Sequence, residues 1–171
     1  MKTALRIGIA LLLGWLAMVI GFILYQLLIV TPLWYLNDPA SFQKAWQLIG
    51  SPDEFTEAMK DGTIRGPGPT ILMITLVLDC VCGITGGWVV ARISGGGPDF
   101  GNESAIRRML MAVMGFLLAI SAFAVVQNLT SELEATLPAW VTWGRTLLAV
   151  PAGILVGGHI AKLQCQSKST D

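Results

Sequence analysis

Four long runs of apolar residues alternate with shorter polar stretches along this chain of 171 residues. The runs cover residues 7–30, about 69–93, about 109–127 and about 139–161. A helix needs about 20 apolar residues to cross the hydrocarbon core of a bilayer. Backbone N–H and C=O groups find no water in lipid, so each run must be helical. The pattern predicts an all-α protein, a bundle of four transmembrane helices forming one integral membrane domain over residues 1–171.

The first two runs are separated by residues 31–68, a polar stretch with two helix-start signals. Asp38 is an N-cap residue with a proline, Pro39, at the first helical position, and Ser51-Pro52 repeats the combination. Apolar residues spaced as on one helix face follow each start. The segment is therefore predicted to be an extracytoplasmic loop with two short amphipathic helices. It could cap the bundle, dock a partner or bind a ligand, and all three uses remain open.

Basic residues are concentrated at one end of the predicted bundle. They are Lys2, Arg6, Arg92, Arg107, Arg108, Lys162 and Lys168. The opposite end carries the acidic residues Asp38, Asp53, Glu54, Glu57, Asp61, Glu132 and Glu134. Positively charged loops stay in the cytoplasm, so both termini are predicted to be cytoplasmic. The first run is longer than the apolar region of a signal peptide and lacks a cleavage site, which predicts an uncleaved span.

The composition agrees with a membrane protein and excludes several function classes. Hydrophobic residues make up 54% of the chain and charged residues 13%, about half the charged share of a soluble domain. The net charge is zero, so nothing indicates a nucleic-acid partner. The three cysteines are an odd number, with two in an apolar run and one in the tail, and they do not form a disulfide framework.

The spacing of small and polar residues also suggests that two helix pairs repeat in tandem. Gly14 precedes Gln26 in the first run at the same spacing as Gly115 precedes Gln127 in the third. The second and fourth runs both carry clustered glycines followed by a basic residue. A tandem two-helix repeat would relate the two halves by an axis along the membrane normal.

Glycines four residues apart mark one face of the second and fourth helices. The pairs are Gly83 with Gly87 and Gly153 with Gly157. Such small-xxx-small patterns let helix backbones approach closely in lipid. The pattern predicts contact between the second and fourth helices in their cytoplasmic halves, and an interface between copies of the chain is the competing use.

Asp79 is an ionisable residue near the middle of the second apolar run. It lies about ten residues, or about 15 Å, below the start of its helix. An unpaired carboxylate there would cost from ~3 to over ~10 kcal/mol. Protonation or pairing with Arg145 of the fourth span would relieve this cost, and Thr75, Gln26 and Gln127 could extend the polar cluster. The cluster could fix the helix register or form a proton or solute pathway.

The sequence shows no set of residues suited to catalysis or metal binding. His159 is the only histidine and has no neighbouring carboxylates, so a metal site is not predicted. Cys80 and Cys82 point about 200° apart on a helix and cannot act as a redox pair. A serine or cysteine nucleophile with a histidine at matching depth is also missing. We therefore predict a protein without enzymatic activity or cofactor.

The chain resembles a broad group of small four-helix integral membrane proteins of bacteria, described only as hypothetical. The resemblance covers residues 7–163 and rests on the basic start, the long first span and the loop opening at Asp38-Pro39, with GGWVVARI (86–93) and GGHIAKL (157–163). It implies a location in the bacterial inner membrane and no known activity, and it transfers no functional residues.

These features lead to two predictions of function. The first is a structural or accessory membrane subunit whose partners are the bilayer and either further copies of the chain or a larger membrane complex. The second is a small oligomeric transporter or channel component that acts through Asp79. The scarcity of polar side chains in mid-bundle favours the first.

Overall fold

The structure, a computed structural model, describes residues 2–95, 103–130 and 138–167. All regular elements in these ranges are helical. The six continuous helices are α1 (residues 2–37), α2 (Pro39–Gln47), α3 (Pro52–Lys60), α4 (Pro69–Gly95), α5 (Glu103–Thr130) and α6 (residues 139–167). Four of them, α1, α4, α5 and α6, are long and apolar enough to cross a membrane. The predicted all-α class with four candidate spans is confirmed.

The first span is longer than its apolar run indicates. The candidate spans are Ala4–Asn37, Pro69–Gly95, Ser104–Gln127 and Ala139–Gln164. The apolar run predicts a first span that ends at Val30. A proline at position 32 lacks an N–H and would clash with the carbonyl four residues earlier in a regular α-helix. Instead, α1 widens into a π-helical turn at Gln26–Val30, where the Thr31 N–H bonds to the Gln26 carbonyl. The wider turn accommodates Pro32, and the predicted loop 31–68 therefore begins as helix.

The same arrangement occurs in α6. A π-helical turn covers Arg145–Ala149, and the Val150 N–H bonds to the Arg145 carbonyl. Pro151 follows two residues after the turn, as Pro32 does in α1. Both π-helical turns thus have the same physical cause, which is a proline inside a long apolar helix.

α4 lies at the centre of the bundle and contacts α1, α5 and α6. The main hydrophobic core joins α4, α5 and α6 towards the end of the bundle that carries the chain termini. Its buried residues are Val90, Ala91, Met109, Ala112, Val113, Phe116, Ile154 and Ala161. α1 packs against this core through Ile7, Leu11 and Met18. The arrangement leaves Asp79 in the other half of α4.

The two short helices form a small cap beside the C-terminal end of α1. Ala45 of α2, Ala58 of α3 and Ile64 form a buried cluster against which Trp34 of α1 packs. Asp38 caps α2 by accepting a hydrogen bond from the Ser41 N–H at 3.1 Å, and this bond lowers the pKa of its carboxyl. The predicted apolar face of α2 is only partly covered, since Trp46 remains 60% exposed.

Several sequence features lie outside the described residues. They include the glycine-containing stretch 96–102 and the charged residues Glu132, Glu134 and Lys168.

Candidate functional site

Asp79 forms the centre of a polar cluster that joins three helices. The Tyr25 hydroxyl of α1 donates a hydrogen bond to its Oδ1 atom. Arg145 of α6 donates from Nε to the Oδ2 atom at 2.7 Å, which also makes an ion pair. The structure therefore brings together Asp79 and Arg145, the pair expected from their depths. Each carboxylate oxygen accepts a bond from a different neighbouring helix.

Both donors lie at the start of a π-helical turn. Tyr25 is the residue immediately before the turn in α1, and Arg145 is the first residue of the turn in α6. A π-helical turn adds a residue to the helical turn and so rotates the residues on one side of it relative to those on the other. The prolines that induce these turns therefore help to set how the Tyr25 and Arg145 side chains face Asp79.

Aromatic rings border the arginine side of the cluster. The Arg145 Cζ atom lies 5.8 Å from the centroid of the Phe22 ring, within the range of a cation–π contact. Phe22 in turn packs edge-on against Tyr25, with centroids 5.2 Å apart. The Arg145 side chain is 25% exposed, whereas that of Asp79 is 3% exposed. The carboxylate is thus enclosed, and the guanidinium lies at the edge of the cluster.

The other predicted members of the cluster take different positions. Thr75 is buried one turn from Asp79, but its hydroxyl donates to the Ile71 carbonyl at 2.9 Å. Gln26 follows Tyr25 directly in the chain, and its side chain is half-buried beside the cluster. Gln127 is exposed on α5 near the end of its candidate span.

The four predicted packing glycines lie where α4 and α6 touch. A Cβ atom built on Gly83 would lie 2.6 Å from the Val150 carbonyl oxygen, and one on Gly157 would lie 2.8 Å from the Trp88 backbone nitrogen. Gly87 faces the backbone of Ile154 in the same manner, and Gly153 faces that of Cys80. The two helix backbones are therefore in direct contact, and this contact helps to hold Arg145 within reach of Asp79.

Tyr25 is the member of the cluster that sequence reasoning missed. It lies inside an apolar run, where an aromatic ring is readily interpreted as ordinary packing. A buried tyrosine hydroxyl needs a hydrogen-bond partner, however. That requirement, together with the neighbouring Gln26, is the signal that could have identified it.

The side chains of the cluster stabilise one another. Both oxygens of Asp79 accept bonds from positioned donors, and no cluster of three or more His, Cys, Asp or Glu suited to a metal ion occurs in the described ranges. Cys80 and Cys82 are free thiols; the side chain of Cys165 lies outside the description. No known protein family, curated protein or solved structure matches this chain.

Proposed function

We propose that this chain is an integral membrane protein without enzymatic activity that serves as a structural or accessory subunit. The observation that carries this proposal is that both carboxylate oxygens of Asp79 accept hydrogen bonds. Its two oxygens are bonded to Tyr25 and Arg145, on two different helices, so the carboxylate acts as a cross-link inside the bundle. A buried polar residue of this kind specifies which helices pair and in what register.

The exposed surface supports embedding in a bilayer. Large apolar side chains are exposed along the candidate spans, among them Leu12 and Leu28 of α1, Leu118 of α5 and Leu148 of α6. A water-soluble protein rarely exposes apolar patches of this extent. We place both termini in the cytoplasm on the distribution of basic residues, and the chain in the bacterial inner membrane on the resemblance given above. Reporter fusions to each terminus, active only in the cytoplasm, test the orientation.

The tandem two-helix repeat belongs to the same proposal. Glycine contacts between α4 and α6 fit two related helix pairs, since these would be the second members of each pair. The π-helical turns lie in α1 and α6, which are not equivalent helices in such a repeat. We therefore infer that the π-helical turns are not part of the repeat and arose after it.

An accessory subunit should be recovered together with its partner. Purification of the tagged chain from its native membrane in a mild detergent is expected to yield either a stoichiometric second subunit or an oligomer of defined size. A matched control is the same purification after solubilisation in a harsh detergent, which should release the partner. Recovery of a monomer alone under mild conditions would contradict the proposal.

A transporter or channel component is the second candidate, and one observation favours it. The Arg145 side chain is 25% exposed while that of Asp79 is 3% exposed, so the guanidinium reaches the surface of the bundle. An ionisable pair within a span is a common element of proton relays. The enclosure of Asp79 is the reason we rank this candidate second.

Proton uptake into vesicles separates the two candidates. With an imposed membrane potential, vesicles containing the wild-type chain are expected to take up protons no faster than empty vesicles. Asp79→Asn should give the same result, and Thr75→Val serves as a control that keeps the ion pair. Uptake by the wild type that is lost in a folded Asp79→Asn variant would sink the accessory-subunit proposal.

A further inference from the structure

A cavity of about 460 Å³ opens beside the outer ends of α4 and α6. Its walls are the linker at residues 62–69, the first turns of both helices, including Leu72 and Trp140, and Met59 of α3. This volume lies within the range of about 300–1,000 Å³ that is typical of sites for small ligands. The cavity is separate from the Asp79 cluster, none of whose members lines it.

The walls of the cavity are held in place by the rest of the fold. The Ile64 N–H donates to the Ala58 carbonyl at 2.8 Å, and the Arg65 N–H donates to the Ser41 hydroxyl at 3.2 Å. Ile64 is only 1% exposed and belongs to the buried cluster of the cap. The linker is therefore tied to both α2 and α3, and the cavity is preformed.

Arg65 gives the cavity its charge. It is the only charged residue in the lining, all of which lies in the described part of the chain. Asp38 and Asp61 lie outside the lining and accept hydrogen bonds from the N–H groups of Ser41 and Thr63. Those bonds lower the pKa of both carboxyls, and the positive charge of Arg65 also contributes to lowering the pKa of Asp38. The lining thus combines one arginine with mainly apolar residues, which suits an anionic group attached to a hydrocarbon chain.

The position of the cavity indicates where such a ligand comes from. Pro69 and Ala139 are the first residues of two candidate spans, so the cavity lies at the boundary between lipid and water. Trp140 is partly exposed there, and tryptophan is enriched at the level of lipid headgroups. Lipid headgroups are therefore the anions that surround this cavity at the highest concentration.

We propose that the cavity binds the phosphate headgroup of an anionic phospholipid. Arg65 contacts the phosphate, and the start of an acyl chain lies along Leu72 and Trp140. The proposal rests on the membrane embedding proposed above and adds a lipid as a specific partner of the outer face. Basic pockets at the ends of membrane helices recognise anionic lipids by the same combination of charge and apolar contact.

Lipid retention by the reconstituted protein tests the proposal. The full chain is placed in nanodiscs containing phosphatidylcholine and phosphatidylglycerol with identical acyl chains, extracted, and examined for bound lipid by native mass spectrometry. We expect phosphatidylglycerol to be retained selectively, and Arg65→Gln to reduce that selectivity about five-fold, as expected for one arginine near an anionic headgroup. Lys44→Gln removes an exposed positive charge from α2 and is expected to change nothing.

Each result has a defined meaning. The proposal would be overturned if Arg65→Gln and the wild type retained phosphatidylglycerol with equal selectivity. It would also be overturned if the wild type retained the two lipids equally. If soluble glycerol phosphate displaced the bound lipid completely, the cavity would be a site for free phosphate instead. This result would also overturn the proposal. Arg65→Lys should keep part of the selectivity and so guards against a folding defect. If the chain failed to enter nanodiscs at all, the membrane embedding itself would be wrong, which is a different failure.

Discussion

Replacing Arg145 with methionine is expected to lower the free energy of unfolding by about 3–5 kcal/mol. The substitution keeps an apolar stem of similar length, but it leaves Asp79 buried with the Tyr25 hydroxyl as a donor and without the guanidinium. Breaking a buried ion pair in this way removes the attraction but retains the desolvation cost of the carboxylate. Reversible unfolding of the protein in mixed detergent micelles, followed by circular dichroism, measures the loss.

A double variant separates this effect from a general loss of packing. Combining Arg145→Met with Asp79→Leu removes both charges, and replacing a buried pair by apolar residues is often neutral or stabilising. The double variant should therefore recover most of the stability lost in the single one. Arg107→Met, at an exposed position of α5, is the matched control and should change stability by less than about 0.5 kcal/mol. A double variant less stable than the single one would show that Asp79 stabilises the fold through contacts other than its ion pair with Arg145.

The second large effect is expected at the contact between α4 and α6. A Cβ atom on Gly157 would overlap the Ile84 carbonyl and lie 2.8 Å from the Trp88 nitrogen, and both are backbone atoms that cannot rotate away. Gly157→Ala should therefore push the helices apart and destabilise the fold by about 1–3 kcal/mol. Gly157→Val should cost more, since it adds two further methyl groups. The same unfolding measurement applies.

Gly115 provides a control position, at which alanine is expected to raise rather than lower the stability of the fold. It lies in α5 with no atom within 4 Å of a Cβ built on it. Alanine is favoured over glycine inside a helix by about 0.5–1 kcal/mol. Gly115→Ala should therefore stabilise the protein slightly, although the substitution is chemically identical to the one at Gly157. Equal effects at the two positions would mean that α4 and α6 do not pack as described.

The candidate spans could be predicted because an apolar run of this length has few alternatives to a helix in lipid. The Asp79–Arg145 pair could also be predicted, since depth along a helix follows from residue counting alone. Tyr25 was not, because counting gives depth but not the rotation of one helix relative to its neighbour. Only the packed bundle shows that the Tyr25 hydroxyl turns towards Asp79.

The extent of α1 escaped prediction for a different reason. Pro32 is the kind of residue at which a helix usually ends. The π-helical turn before it lets the helix continue, and no sequence motif indicates that turn. Pro151 lies inside the fourth apolar run, where apolar residues on both sides favour a continuous span. Reading both prolines together would have suggested a widened turn in each helix. Tyr25 lies seven residues before Pro32 and Arg145 lies six residues before Pro151, so both polar side chains lie where such a turn begins.

The length of α1 has a mechanical consequence. Its candidate span has 34 residues, which extend about 51 Å at 1.5 Å per residue, whereas the hydrocarbon core is about 30 Å thick. One continuous rod therefore begins in lipid and ends in the cap, with Tyr25 about 18 Å below Asn37. A thinner or thicker bilayer changes how much of the rod emerges but not this separation. The cap thus keeps a fixed height above the ion pair, whatever membrane surrounds it.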